Sequence, residues 1–382
     1  MTQSTQSHPR YEILDGLRGV AAVMVVGYHL FEAIAFAAGA SEQQMYHGFL
    51  AVDFFFILSG FVMGYAYDER WNQMSLTSFI RRRLIRLHPM VVIGVLIGLA
   101  SFVFQGCVRW DGSQVGLFLL MFSTLMALFL LPVPTSMDVR GNTEMFPLNG
   151  PHWSLFFEYI GSLVYGLLLH RLSTRCLKWW VLVAGAALFL NGFLGPQGDI
   201  AYGWSSEPYN MFGGLLRVSF GYPMGLLMAR LYRERTPRPL GGPVFLWCSI
   251  VVVVLLSLPS VSHLGLMPDT MPYRLCRIGY QFFCLAIAFP MVVWMGARGS
   301  VRAGFSLGSA RLLGRMSYPL YAVHYPFIYL YIHWINTDAH PFGPQWWATP
   351  LAVFLISLVV AYLAMRFYDE PLRRWLSRKY VK

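Results

Sequence analysis

Arg18 and His29 stand eleven residues apart in LDGLRGVAAVMVVGYH (Leu14–His29), inside an otherwise apolar run. Eleven helical steps of about 100° return to within about 20° of the same face and climb about 16 Å. The pattern therefore stacks a guanidinium at one mouth of a helix below an imidazole near its middle. Histidine titrates close to neutrality and suits proton abstraction. Arginine stays charged, and its planar fork suits phosphate or a polarised carbonyl. Glu32 lies within a turn of His29 and can approach it. The same spacing also fits an arginine that merely reaches the lipid interface and a histidine bonded to a neighbouring helix.

Other polar residues stand where apolar ones are expected. A charge at mid-bilayer costs roughly 2.5–3.5 kcal/mol on insertion scales, so each needs a reason. Asp53 lies beside FFFILSGF, either to orient a catalytic group, to bind a sugar hydroxyl or to cap its helix. The run RRRLIRLHP (Arg81–Pro89) holds Arg82, Arg83 and Arg86, which form an anion site or a basic topological anchor. GPHWSLFFE (Gly150–Glu158) brings Trp153, Ser154 and Glu158 into the start of a helix. Arg217 is a lone cation within a span, with Glu158 or Asp53 as its expected partner. His324 sits at mid-depth in SYPLYAVHYPF (Ser317–Phe327), between prolines that release backbone carbonyls around cavities. It also suits a satisfied core histidine.

The elements that must position these residues are membrane helices. Of 382 residues, 56% are hydrophobic and only 12% charged, with mean hydropathy +0.51. Soluble domains carry about 25% charged residues, so lipid is the expected solvent. The expected fold class is all-α: a polytopic transmembrane bundle forming a single domain over residues 1–382. Spans are expected near 17–38, 48–67, 90–106, 153–170, 178–195, 210–231, 243–260, 277–296, 316–335 and 346–366. Segment 115–132 is shorter and ends in Pro132 and Pro134. If it stays on the outer side as a re-entrant or surface helix, twenty-four basic residues fall inside and four outside. That arrangement gives ten crossings with both termini cytoplasmic.

The net charge of +11 comes from short basic clusters between apolar runs, a pattern that opposes nucleic-acid binding. Five cysteines show neither a CxxC pair nor metal-ligand spacing, so no metal site is expected.

Taken together, these strings resemble the acyltransferase-3 family of membrane-bound sugar O-acyltransferases. The resemblance rests on Leu14–His29, on GFLAVDFFFILSGF (Gly48–Phe61), on RRRLIRLHP, GPHWSLFFE and SYPLYAVHYPF, and on YDEPLRRW (Tyr368–Trp375). They follow one another in order across residues 11–375. Two positions depart from the family pattern: His88 replaces a common tyrosine, and Tyr159 a frequent second glutamate. The chain also ends at Lys382, where some members continue into an esterase-like domain.

The resemblance implies acetyl-CoA or another acyl-CoA as donor substrate rather than a permanently bound cofactor. Arg18, Arg82, Arg83 and Arg86 would hold its phosphates. A saccharide hydroxyl, lipid-linked or on the cell surface, would enter from outside near Trp153, Ser154, Glu158 and Arg217. His29 would act as general base or transient acyl carrier, aided by Glu158, Asp53 and His324. The expected location is the bacterial inner membrane. The competing reading is a transporter or flippase in which Arg217, His29 and His324 line a path. No repeated halves of the kind common in transporters are visible.

Overall fold

The computed structural model describes residues 11–37, 45–267, 270–300, 305–337 and 345–381. Of the residues weighed for topology, Arg10, Arg302 and Lys382 lie outside them. The described residues form α-helices joined by turns, short 3-10 and π segments and longer loops: α1 (Glu12–Ala37), α2 (Ala51–Tyr67), α3 (Leu76–Phe104), α4 (Leu117–Leu128), α5 (His152–Leu167), α6 (Thr174–Leu194), α7 (Pro208–Arg235), α8 (Val244–Ser257), α9 (Met271–Phe283), α10 (Phe289–Arg298), α11 (Phe305–Val323), α12 (Tyr325–Thr337), α13 (Gln345–Leu363) and α14 (Glu370–Tyr380).

Local chemistry explains several boundaries. Ser75 and Ser173 cap α3 and α6 by accepting hydrogen bonds from the amides of Ser78 and Cys176. Pro208 opens α7, where its missing N–H costs nothing. A π-turn over Cys284–Ala288 joins α9 to α10, and another over Ala364–Asp369 joins α13 to α14.

Among the described residues, length and composition mark six helical segments, rather than the expected ten, as able to cross a bilayer: Glu12–Phe36, Tyr46–Gln73, Leu76–Phe104, Thr174–Leu194, Met271–Arg298 and Trp347–Tyr380. The difference has visible causes. α5 has 16 residues and α8 has 14. α7 carries Arg217 and charged ends, and the expected span 316–335 is broken at His324, between α11 and α12. α4 has 12 residues, about 18 Å of helix, too short for a hydrocarbon core of about 30 Å. It lies against α3 and exposes Leu117, Phe118, Met121 and Leu125. The chain is a multi-pass membrane protein.

Two seams of small residues hold the bundle. α2 packs on α7 where Gly60 and Gly225 each face a backbone carbonyl of the other helix, those of Tyr222 and Ile57. α1 packs on α11 through Gly19 and Gly314, against Leu313 and Asp15. Such seams let backbones approach closely where lipid supplies no hydrophobic drive between helices.

The bundle has two unlike ends. One gathers Arg18, the arginines at the start of α3, Arg311, Arg315 and α14; Arg311 and Arg315 pair there with Glu12 and Glu370, each at 2.6 Å. The other is roofed by the loops 129–151 and 195–207, which pair where the Met145 amide donates to the Trp204 carbonyl.

Candidate active site

A cavity of about 490 Å³ enters from the basic end. Arg18, Arg83, Arg86, Arg315 and Arg373 line it, with Ser59, Ser154 and Glu158 deeper in. Arg83 is already engaged: its Nη2 lies 2.8 Å from Glu158 Oε1 and its Nε donates to Ser162 Oγ. Ser59 donates to the same Glu158 oxygen at 2.9 Å. Arg83 therefore neutralises a buried carboxylate, while Arg18 and Arg86 present their charge to the cavity. Arg18 has a looser contact, 3.6 Å to Asp15.

A second cavity of about 380 Å³ opens under the loop roof. Its walls carry Trp110, Trp153 and Trp204 beside His29, Glu32 and Arg217. The His29 Nδ1 lies 2.8 Å from Glu32 Oε2. A carboxylate only accepts, so Nδ1 carries a proton in this contact, and in the neutral imidazole Nε2 then holds the lone pair. The imidazole meets the Tyr325 ring edge-on, with centroids 4.6 Å apart, and stacks on His324 at 5.4 Å. It is thus a histidine oriented by a carboxylate and locked by aromatic neighbours, the arrangement a general base requires.

Arg217 and Asp53 form a forked pair, with both side chains 1% exposed. Further bonds run from Arg217 to the carbonyls of Tyr202 and Phe49, and its guanidinium lies over Trp153 at 5.0 Å. Four of its five N–H donors are engaged, so Arg217 presents a firmly held charge beneath the aromatic cavity.

The two cavities share two lining residues, Val52 and Tyr321. The Tyr321 hydroxyl lies 2.6 Å from Ser154 Oγ, and both hydroxyls reach the Pro151 carbonyl. Arg18 and His29 therefore occupy adjoining cavities, separated by a thin wall, rather than one uninterrupted channel.

The structure sorts the sequence candidates accordingly. His29, Trp153 and Arg217 meet in the aromatic cavity, and Arg18, Arg83, Arg86, Ser154 and Glu158 in the basic one. Glu158, expected on the acceptor side, faces the basic cavity because α5 presents it one turn below Ser154, toward Arg83. Asp53 lines neither cavity and positions Arg217. His324 is fully buried, with Nδ1 on the carbonyls of Leu320 and Tyr321, and backs the ring of His29. Arg82 faces a third, open cavity at the basic end.

Sequence reasoning missed Tyr321, Tyr325 and Glu144. The two tyrosines flank His324 by three residues and one, a signal present in SYPLYAVHYPF but masked by its prolines. Glu144 lies in a loop without periodicity. Its carboxylate accepts from Tyr329, and burial beside Asp138 pushes it up to about 8.

An acyltransferase domain model of the acyltransferase-3 type matches residues 11–366. The chain belongs to the acyltransferase-3 family. It is 26% identical to acyltransferase MdmB of Streptomyces mycarofaciens, across 97% of this chain and 93% of that protein. It is 24% identical to the peptidoglycan O-acetyltransferase OatA of Listeria monocytogenes, across 98% of this chain and 58% of that longer protein. A further relative, protein 2 in the picA locus of Rhizobium radiobacter, is 33% identical over 42% of this chain and 84% of its own length. No solved structure matches. The acyltransferase-3 chain is accordingly an O-acyltransferase, which displaces the transporter or flippase reading.

Proposed function

We propose that the enzyme moves an acyl group, acetyl in the simplest case, from acyl-CoA in the basic cavity to a saccharide hydroxyl in the aromatic cavity. One observation carries this reading: cavities of opposite chemistry abut at Val52 and Tyr321, and the oriented His29 faces the aromatic one. Five arginines against three carboxylates, Asp15, Glu158 and Asp369, line the basic cavity, and that positive excess suits the phosphates of a coenzyme A thioester. Flat tryptophan faces with a few fixed polar groups suit a sugar, which offers C–H faces and hydroxyls.

In the proposed step, His29 Nε2 takes the proton of the acceptor hydroxyl as its oxygen attacks the thioester carbonyl. The C–S bond breaks, the ester C–O bond remains, and the thiolate leaves as the free thiol after taking up a proton. Glu32 stabilises the imidazolium formed in between. Clustered arginines mark the cytoplasmic side of a bilayer, so the basic end, from which α1 starts and at which α14 finishes, is assigned to the cytoplasm. Both termini then lie inside, and the membrane is the bacterial inner membrane. Acetylation of peptidoglycan by the Listeria relative supports a cell-envelope or lipid-linked glycan as acceptor.

The test uses purified protein in nanodiscs, radiolabelled acetyl-CoA and a panel of envelope saccharides. Acceptor-dependent transfer that falls about 10²–10⁴-fold in His29→Ala is the expected result. Full transfer by that variant removes His29 from the mechanism.

A further inference from the structure

Beyond the basic cavity lies an open space of about 510 Å³ between α3 and α14. Arg82 and Arg86 enter it from α3, and Arg373, Arg374 and Arg378 from α14; among the described residues no acidic side chain lines it. Arg86 and Arg373 also line the basic cavity, so the two spaces adjoin at these side chains. The Nε atoms of Arg82 and Arg373 are buried and lack an acceptor among the described residues.

α14 is firmly placed. Arg315 binds Glu370 at its start, Arg373 binds Asp369 at 2.7 Å, and Arg81 reaches the Tyr380 carbonyl near its end. Arg374 and Arg378 are one turn apart on the face turned to α3, a like-charge spacing that weakens an isolated helix. A multiply charged anion between the helices would reverse that cost and satisfy the two stranded nitrogens.

We infer that α3 and α14 form a polyphosphate-binding vestibule, in which Arg82, Arg374 and Arg378 grip the nucleotide end of the acyl donor while its thioester arm passes Arg86 and Arg373 into the basic cavity. This rests on the acyl-CoA reading above. The ligand chemistry fits, because coenzyme A carries a pyrophosphate and a 3′-phosphomonoester, the latter alone about −1.5 to −2 charges at neutral pH. Anionic lipid headgroups share part of that chemistry.

The experiment measures coenzyme A affinity in nanodiscs of phosphatidylcholine, which remove the lipid competitor. Arg374→Gln/Arg378→Gln binds about tenfold or more weakly, and Arg374→Lys/Arg378→Lys retains most of the affinity. Removing the 3′-phosphate weakens binding to the wild type and has little further effect on the glutamine variant. Thermal melting verifies that each variant is folded. Unchanged affinity in the folded glutamine variant overturns the vestibule, as does a variant that loses only stabilisation by phosphatidylglycerol. A wild type that binds no coenzyme A sinks the donor reading itself.

Discussion

The hydroxyl of Tyr159 lies 3.4 Å from the Nδ1 of His88, joining the two positions at which the sequence resemblance implies a departure from the family pattern. α3 and α5 bring them face to face, so the departures form a pair rather than two separate losses. Exchanging one partner alone, His88→Tyr or Tyr159→Glu, lowers activity several-fold. The double exchange recovers most of it, because the paired contact is rebuilt in the other form. Transfer rates for the four combinations form a double-mutant cycle, and additive losses would show that the positions are uncoupled.

Glu32 holds His29 through Nδ1. Glu32→Gln keeps the volume but removes the charge that stabilises the imidazolium. Transfer should fall about 10–100-fold in kcat, with the donor KM unchanged, since Glu32 lines the aromatic cavity alone. Steady-state kinetics with donor and acceptor varied separately decide this.

Tyr321 belongs to both cavity walls. Tyr321→Ala opens the partition, admits water beside the thioester and uncouples donor cleavage from transfer. The ratio of free thiol released to acceptor acylated should rise about tenfold, as measured by thiol titration beside product counting. A ratio that stays at the wild-type value means that the partition does not guard the thioester.

Removing one member of the buried Asp53–Arg217 pair leaves an uncompensated charge and costs about 3–5 kcal/mol. Asp53→Asn and Arg217→Met each lower the melting temperature in detergent. Asp53→Leu/Arg217→Met recovers stability but not transfer, because the cavity has lost its fixed cation. Gly60→Ala gives a steric control, since its new methyl would overlap the Tyr222 carbonyl. Gly308→Ala, which meets nothing within 4 Å, leaves the melting temperature near wild type.

Glu144 supplies a pH dependence. Its carboxyl is raised from 4.5 to about 8 by burial, then by Asp138. Folding therefore favours the protonated form. The stabilisation is complete below the ordinary carboxylate range and is lost as pH rises toward about 8. The melting temperature falls across that window, and Glu144→Gln flattens the profile. A profile unchanged by the substitution would assign the slope to other groups.

The sequence made the helical class and the apolar solvent readable and set Arg18 and His29 on one helix, because charge is expensive in lipid and helical spacing is regular. It could not divide these residues between two cavities. That division depends on Tyr321 and Val52 projecting from α11 and α2 to the same wall, a tertiary relation without local pattern. Glu158 illustrates the limit: its depth was legible, yet its facing was set by Ser59 and Arg83 on helices distant in sequence. Length and composition mark fewer than ten crossings among the described residues for a related reason, since helices shielded by neighbours can be short, polar or broken, as α5, α7 and the α11–α12 break are.

The wall at Val52 and Tyr321 also bears on inhibition. A compound filling the arginine-lined side and another filling the tryptophan-lined side would occupy separate volumes, so neither excludes the other. Their effects should combine multiplicatively, and a resistance substitution against one should leave sensitivity to the other intact. A single molecule bridging the partition would gain from both sites at once.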